Sequence, residues 1–124
     1  MALNKNTISR GEIWYVKFEP QVGNEIRKIR PAIVVDADFG QLVGQVVPIT
    51  AWQDRLCILP YMVKIQNFES LGLSKPSTAN CSQIKSCAIE RFIEKIGIVD
   101  DAFLFEIHQA TVRIWSPLYT LNHN

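Results

Sequence analysis

The hydrophobic period of this chain changes once, near Gly97. Before that point, short apolar or alternating runs are separated by glycine, proline and aspartate, the pattern of strands joined by turns. After it, Phe103, Ile107, Ala110 and Ile114 recur at helical spacing. A chain patterned this way reads as α+β, mostly β: a run of short strands closed by one C-terminal helix. Strands this short leave edges exposed unless the sheet bends back on itself, so a small, strongly bent barrel is expected.

The strand signals follow in order. Ile13 to Phe18 is rich in β-branched and aromatic residues and follows Arg10-Gly11. Residues 32–35 (Ala-Ile-Val-Val) are purely apolar, which suits a strand buried on both faces. Asp38-Phe39-Gly40 and Gly44 mark a turn before a third strand, Gln45 to Thr50, in which Pro48 implies a sheet edge or bulge. Leu59 to Ile65 alternates as a half-buried strand should, and 71–76 breaks into a loop. Thr78 to Ser86 and Phe92 to Ile96 read as two further extended pieces. For the helix, Asp100 or Asp101 is the cap, Arg113 suits the negative end of the dipole, and Ser116-Pro117 is the expected stop. Its other face carries Leu104, Phe105, Val112 and Trp115, so burial on two sides is expected, the second against a subunit partner.

With 124 residues and no linker or repeat, a single domain is expected over 1–124, its core about 10–116. A chain of this size buries about two-thirds of its unfolded surface without covalent staples. The net charge of +1 gives no global bias toward nucleic acid, so any such site must be a local patch. Cys57, Cys81 and Cys87 are odd in number and lack Cys-x-x-Cys spacing, which argues against a disulfide framework and a zinc site. Reduced, buried thiols in a cytoplasmic protein are expected. No apolar leader or membrane-length segment is present in the sequence, so no membrane association is expected.

The densest chemical signal is Gly23-Asn24-Glu25-Ile26-Arg27-Lys28-Ile29-Arg30-Pro31, a turn glycine, one acid and three bases leading into the apolar strand. Proline drives Arg30 toward an extended backbone, so its guanidinium leaves from a defined place. A cationic loop at the mouth of a strand can hold a phosphate. An isolated arginine there more often forms a surface ion pair, here with Asp36, Asp38 or Glu25.

Taken in order, Arg10-Gly11-Glu12-Ile13-Trp14, Val22-Gly23-Asn24-Glu25, Arg30-Pro31 before an apolar strand, and Pro48-Ile49-Thr50 resemble the MazF/PemK toxins. These are the endoribonucleases, or mRNA interferases, of type II toxin–antitoxin systems. Gln83-Ile84-Lys85-Ser86 and Lys95-Ile96-Gly97 also fall where that family has comparable segments, and the likeness runs unbroken from about Arg10 to Trp115. It implies a small SH3-like β-barrel with a C-terminal α-helix, in a homodimer. It implies sequence-selective cleavage of single-stranded RNA with no metal or cofactor, and neutralisation by a cognate antitoxin. It further implies that Arg30 and Thr50 form the central catalytic pair, with Glu25 a third candidate. The chain departs from the family in two places. Ile26-Arg27-Lys28-Ile29 replaces a glycine-rich stretch, and Asn80 and Ser82 stand where some members place an arginine and an aspartate.

RNA cleavage through its own 2′-hydroxyl needs that hydroxyl deprotonated, the phosphorane charge neutralised and the leaving oxygen protonated. The guanidinium fork of Arg30 matches two phosphate oxygens, and Thr50 can add a hydroxyl donor. Glu25 is the carboxylate of the motif and so the general-base candidate; arginine titrates too high for that role. Asn24, Arg27, Lys28, Gln53, Arg55, Ser82, Gln83 and Lys85 are expected RNA contacts, cations steering the backbone and amides reading base edges. Trp52, just past Thr50, is the expected stacking surface, whereas Trp14 and Trp115 suit core or subunit packing. Two other functions fit the same fold. One is a toxin acting on DNA gyrase through a Trp-Gly-Ile tail, which Leu121-Asn122-His123-Asn124 does not carry. The other is an inactive SH3-like binding module, which needs clustered exposed aromatics.

Overall fold

The computed structural model describes residues 8–18, 29–37 and 42–121, the side chains of 116–121 excepted. Seven strands form one antiparallel sheet: β1 (Glu12–Lys17), β2 (Ile29–Asp36), β3 (Val43–Ala51), β4 (Met62–Ile65), β5 (Ser77–Asn80), β6 (Lys85–Ala88) and β7 (Phe92–Ile98). Helix α1 (Asp101–Leu121) follows. The strand order is β4-β5-β3-β2-β1-β7, with β6 paired to the first half of β3.

Period-two patterning splits the core in two. Ile13, Ile33, Val47 and Ile49 pack with Val63, Ile65, Leu71, Leu73 and the buried face of α1, Ile107 and Ala110. Trp14, Val16, Ala32, Val34 and Val46 point the other way, against Phe18, Cys87, Ile89 and Phe92. The apolar run of β2 is therefore buried on both faces, because each face of the sheet has its own core.

Pro48 does not mark an edge strand. It faces Ala32 of β2 on one side. On the other side β3 pairs with β6 only up to Val46 and with β5 only from Ile49. The proline falls in the gap between two partners, where a missing amide costs no ladder bond. The expected strand Thr78 to Ser86 is likewise divided, by a 3₁₀ turn at Cys81–Gln83. The Asn80 carboxamide oxygen accepts from the Ser82 amide at 3.1 Å and the Ser82 hydroxyl at 2.6 Å, turning the chain locally.

The barrel does not close by a ladder: β4 and β7 are the two ends of the strand path. It closes by packing. The 3₁₀ turn Phe68–Leu71 after β4 ends at Gly72, whose φ of 81° lies in the left-handed region. A Cβ on Gly72 would meet the Ile96 carbonyl, and one on Gly97 would meet that of Leu71. Two glycines thus let the turn lie directly on the backbone of β7.

Helix α1 starts as its sequence implies, the Asp100 carboxylate accepting from the Phe103 amide at 2.8 Å. It does not stop at Ser116-Pro117 but runs on to Leu121. Proline withholds one amide and crowds one carbonyl, which weakens a turn without obliging the chain to leave it. Phe105, Val112 and Trp115 are exposed on the outer side, and Ile114, expected on the inner face with Ile107 and Ala110, is exposed as well; each is at least 41 % accessible.

Candidate active site

Arg30 and Thr50 enter one cleft from adjacent strands. The β2–β3 register sets Ala32 opposite Pro48, and two residues further along each strand are Arg30 and Thr50. Arg30-Pro31 opens β2 in extended conformation, as the proline requires. At Thr50 the strand has passed to its other neighbour, β5, where Thr50 faces Thr78 and Ala51 faces Ser77. The cleft, of about 390 Å³, is lined by Tyr15, Ile29, Arg30, Pro31, Ile49, Thr50, Ala51, Leu73, Ser74, Lys75 and Ser77. It crosses β1, β2, β3 and β5 in turn, with the core residues Ile49 and Leu73 reaching its wall.

Among the described residues the lining holds two cations, Arg30 and Lys75, and no carboxylate, beside the hydroxyls of Tyr15, Thr50, Ser74 and Ser77. That donor set suits a polyanion. The alternative of an Arg30–Asp36 ion pair is ruled out, because the two sit at opposite ends of β2, about 20 Å apart along an extended strand. Asp36 instead lies 3.9 Å from Arg10.

The other expected residues divide into three groups. Asn24, Glu25, Arg27 and Lys28 lie outside the described residues. Gln53 and Arg55 sit at the exposed 3₁₀ turn Asp54–Ile58, the Arg55 guanidinium donating to the Gln53 carboxamide at 2.8 Å. Neither lines the cleft. Ser82, Gln83 and Lys85 lie past Asn80, at the far end of β5 from Ser77, and the cleft does not include them either. Lys85 packs its ammonium 5.0 Å from the centre of the Phe18 ring. The Trp52 ring is already engaged, with the Lys64 ammonium 4.8 Å from its centre and its indole N–H donated to Asp54 at 3.0 Å.

Sequence reasoning missed Tyr15, Ser74, Lys75 and Ser77. For Lys75 a signal was present: Lys75-Pro76 repeats the cation-before-proline pattern of Arg30-Pro31. A second cavity, of about 550 Å³, lies against α1 and is lined by Arg10, Val35, Ile84, Asp101, Leu104, Phe105, Ile107, His108 and Thr111. It holds neither Arg30 nor Thr50.

The Arg10-to-Trp14 motif has a structural role. Gly11, at φ 93°, donates its amide to the Val34 carbonyl and accepts from the Val99 amide, tying β1 to both ends of the sheet connection. Buried Glu12 accepts from the Ser9 amide and the Trp14 indole, both at 2.9 Å, and pairs with Lys95 at 3.1 Å. Burial pushes its pKa up, but the Trp14, Ser9 and Lys95 contacts together outweigh it and hold the carboxyl below its ordinary value.

Comparison with known proteins agrees with this architecture. The family described as PemK-like, MazF-like toxin of type II toxin–antitoxin system matches residues 9–114. The endoribonuclease MazF9 of Mycobacterium tuberculosis is 34% identical over 118 residues, covering 86% of this chain and 98% of that protein. The endoribonuclease EndoA of Bacillus subtilis is 28% identical over 106 residues, covering 83% of this chain and 90% of its own. Among solved structures, a MazE–MazF complex from Deinococcus radiodurans matches with a TM-score of 0.68 at 19% identity, over 88% of this chain and 96% of that one. With the barrel, the helix and the family match all in register, the chain belongs to the PemK-like, MazF-like toxins of type II toxin–antitoxin systems.

Proposed function

We infer that the chain is an endoribonuclease toxin that cuts single-stranded mRNA in the cytoplasm and is held in check by a cognate antitoxin. The observation that carries the site assignment is the meeting of Arg30 and Thr50 in a cleft that the described residues line with cations and hydroxyls. Relatives of this chain are named endoribonucleases, and structures of the same fold include toxin–antitoxin complexes.

The guanidinium of Arg30 grips two non-bridging oxygens of the scissile phosphate and offsets the charge that grows on them in the phosphorane. The Thr50 hydroxyl donates a further hydrogen bond to the same group. The 2′-hydroxyl of the preceding ribose attacks phosphorus in line, the bond to the 5′ oxygen of the next nucleotide breaks as that oxygen takes a proton from solvent, and a 2′,3′-cyclic phosphate remains. Glu25 is the base for that hydroxyl in this reading. Asn24, Arg27 and Lys28, with Gln53, Arg55, Ser82, Gln83 and Lys85, serve the flanking nucleotides outside the cleft. No metal is required by this chemistry, because arginine supplies the charge a cation otherwise would. Phe105, Val112 and Trp115 supply the apolar surface on which two copies pair.

The experiment is primer-extension mapping on a long RNA with purified protein and EDTA. An oligonucleotide carrying the mapped site, with a single 2′-deoxy sugar before the cut, should then resist cleavage. Cutting of the deoxy substrate at the normal rate would exclude attack by the 2′-hydroxyl.

A further inference from the structure

Lys75 shares the cleft with Arg30 but enters it from the other side of the strand that carries Thr50. β3 runs between β2 and β5, and Lys75 lies three residues beyond Thr78, the partner of Thr50, so the backbones bearing the two cations are about 14 Å apart, a span two long side chains reach across. Lys75 is exposed, yet its chain is pinned. The Ser77 hydroxyl donates to the carbonyl of Lys75 at 2.7 Å, and the Trp52 amide donates to the carbonyl of Pro76 at 2.9 Å. Pro76 also narrows the backbone choices of Lys75 by disfavouring the helical region, as Pro31 does for Arg30.

We propose that Lys75 binds the phosphate adjacent to the one held by Arg30, setting which linkage of the RNA lies over Thr50. This rests on RNA being the substrate. The chemistry of the two side chains divides accordingly: a planar fork suits the reacting phosphate, and a compact ammonium suits a point contact to its neighbour. The neighbouring phosphate keeps its charge throughout the reaction, so Lys75 binds ground state and transition state alike. Its loss therefore raises KM and leaves kcat in place. It also removes one counterion-releasing contact, which flattens the dependence of log affinity on log salt by about 0.7 for a single strand.

The test uses the full chain and an RNA oligonucleotide blocked by a 2′-O-methyl group at the mapped cut. Binding by wild type, Lys75→Ala and Lys75→Arg is measured by fluorescence anisotropy over a salt series, with steady-state cleavage of the unblocked oligonucleotide alongside. The expected result is a raised KM, an unchanged kcat and a flatter salt slope for Lys75→Ala, with the slope restored by Lys75→Arg. An unchanged slope, or a fall in kcat at constant KM, overturns the proposal. Failure of the ribonuclease reading is distinguishable: the wild type would bind RNA with the slope described and cut nothing. A wild type that binds no RNA overturns both.

Discussion

Glu12 accepts two hydrogen bonds and an ion pair while almost fully buried, and its partners Ser9, Trp14 and Lys95 come from both ends of the β-region. Two of the motif pieces that carry the family resemblance, Arg10 to Trp14 and Lys95 to Gly97, are therefore one structural unit. Because the folded pKa of Glu12 is depressed, its contribution is complete above the ordinary carboxylate range of about 4.3 and is lost as pH falls below that toward the folded value. Glu12→Gln should cost about 1–3 kcal/mol at neutral pH, and its stability should fall less steeply than wild type below pH about 4.3, as urea titrations across pH would show. Burial raises the pKa of Cys81 and of Cys87, partly offset by Thr111 and Lys85 respectively. Cys57 is exposed, against the expectation of buried thiols throughout. A thiol reagent on the native protein should modify Cys57 first and the other two only on unfolding, read by mass spectrometry.

Elements were legible where one period ran unbroken. β1, β2, β3 and the start of α1 stand close to where the residue pattern sets them, because alternation and an aspartate cap are local signals. What could not be read depends on partners distant in sequence. Pro48 is tolerated inside a central strand only because β6 leaves off before it and β5 begins after it. Gly72 and Gly97 give no hint that they face each other across the closure of the barrel. Gly97→Ala should push the Leu71 turn off β7 and lower stability by about 1–3 kcal/mol, seen as a lower Tm. Gly72→Ala should cost at least as much, since it adds a left-handed φ to the same collision.

Across the whole molecule, the sheet gathers residues from four strands at one end, while α1 leaves its apolar outer side in solvent. The pairing of Arg30 with Thr50 was visible only through ordered motifs; the presence of Lys75 beside them required the fold. If two copies pair through α1, Trp115→Lys should shift sedimentation from dimer to monomer, with the barrel intact by circular dichroism. The central claim is that Arg30 and Thr50 cut RNA together. The most direct measurement is the initial rate of cleavage of a single-stranded RNA in EDTA by wild type, Arg30→Ala, Arg30→Lys and Thr50→Val. Loss of the donors should lower the rate about 10²- to 10³-fold for Arg30→Ala, with no recovery in the lysine variant, and to a lesser extent for Thr50→Val. Cleavage by Arg30→Ala at the wild-type rate, or no cleavage by the wild type, would contradict it.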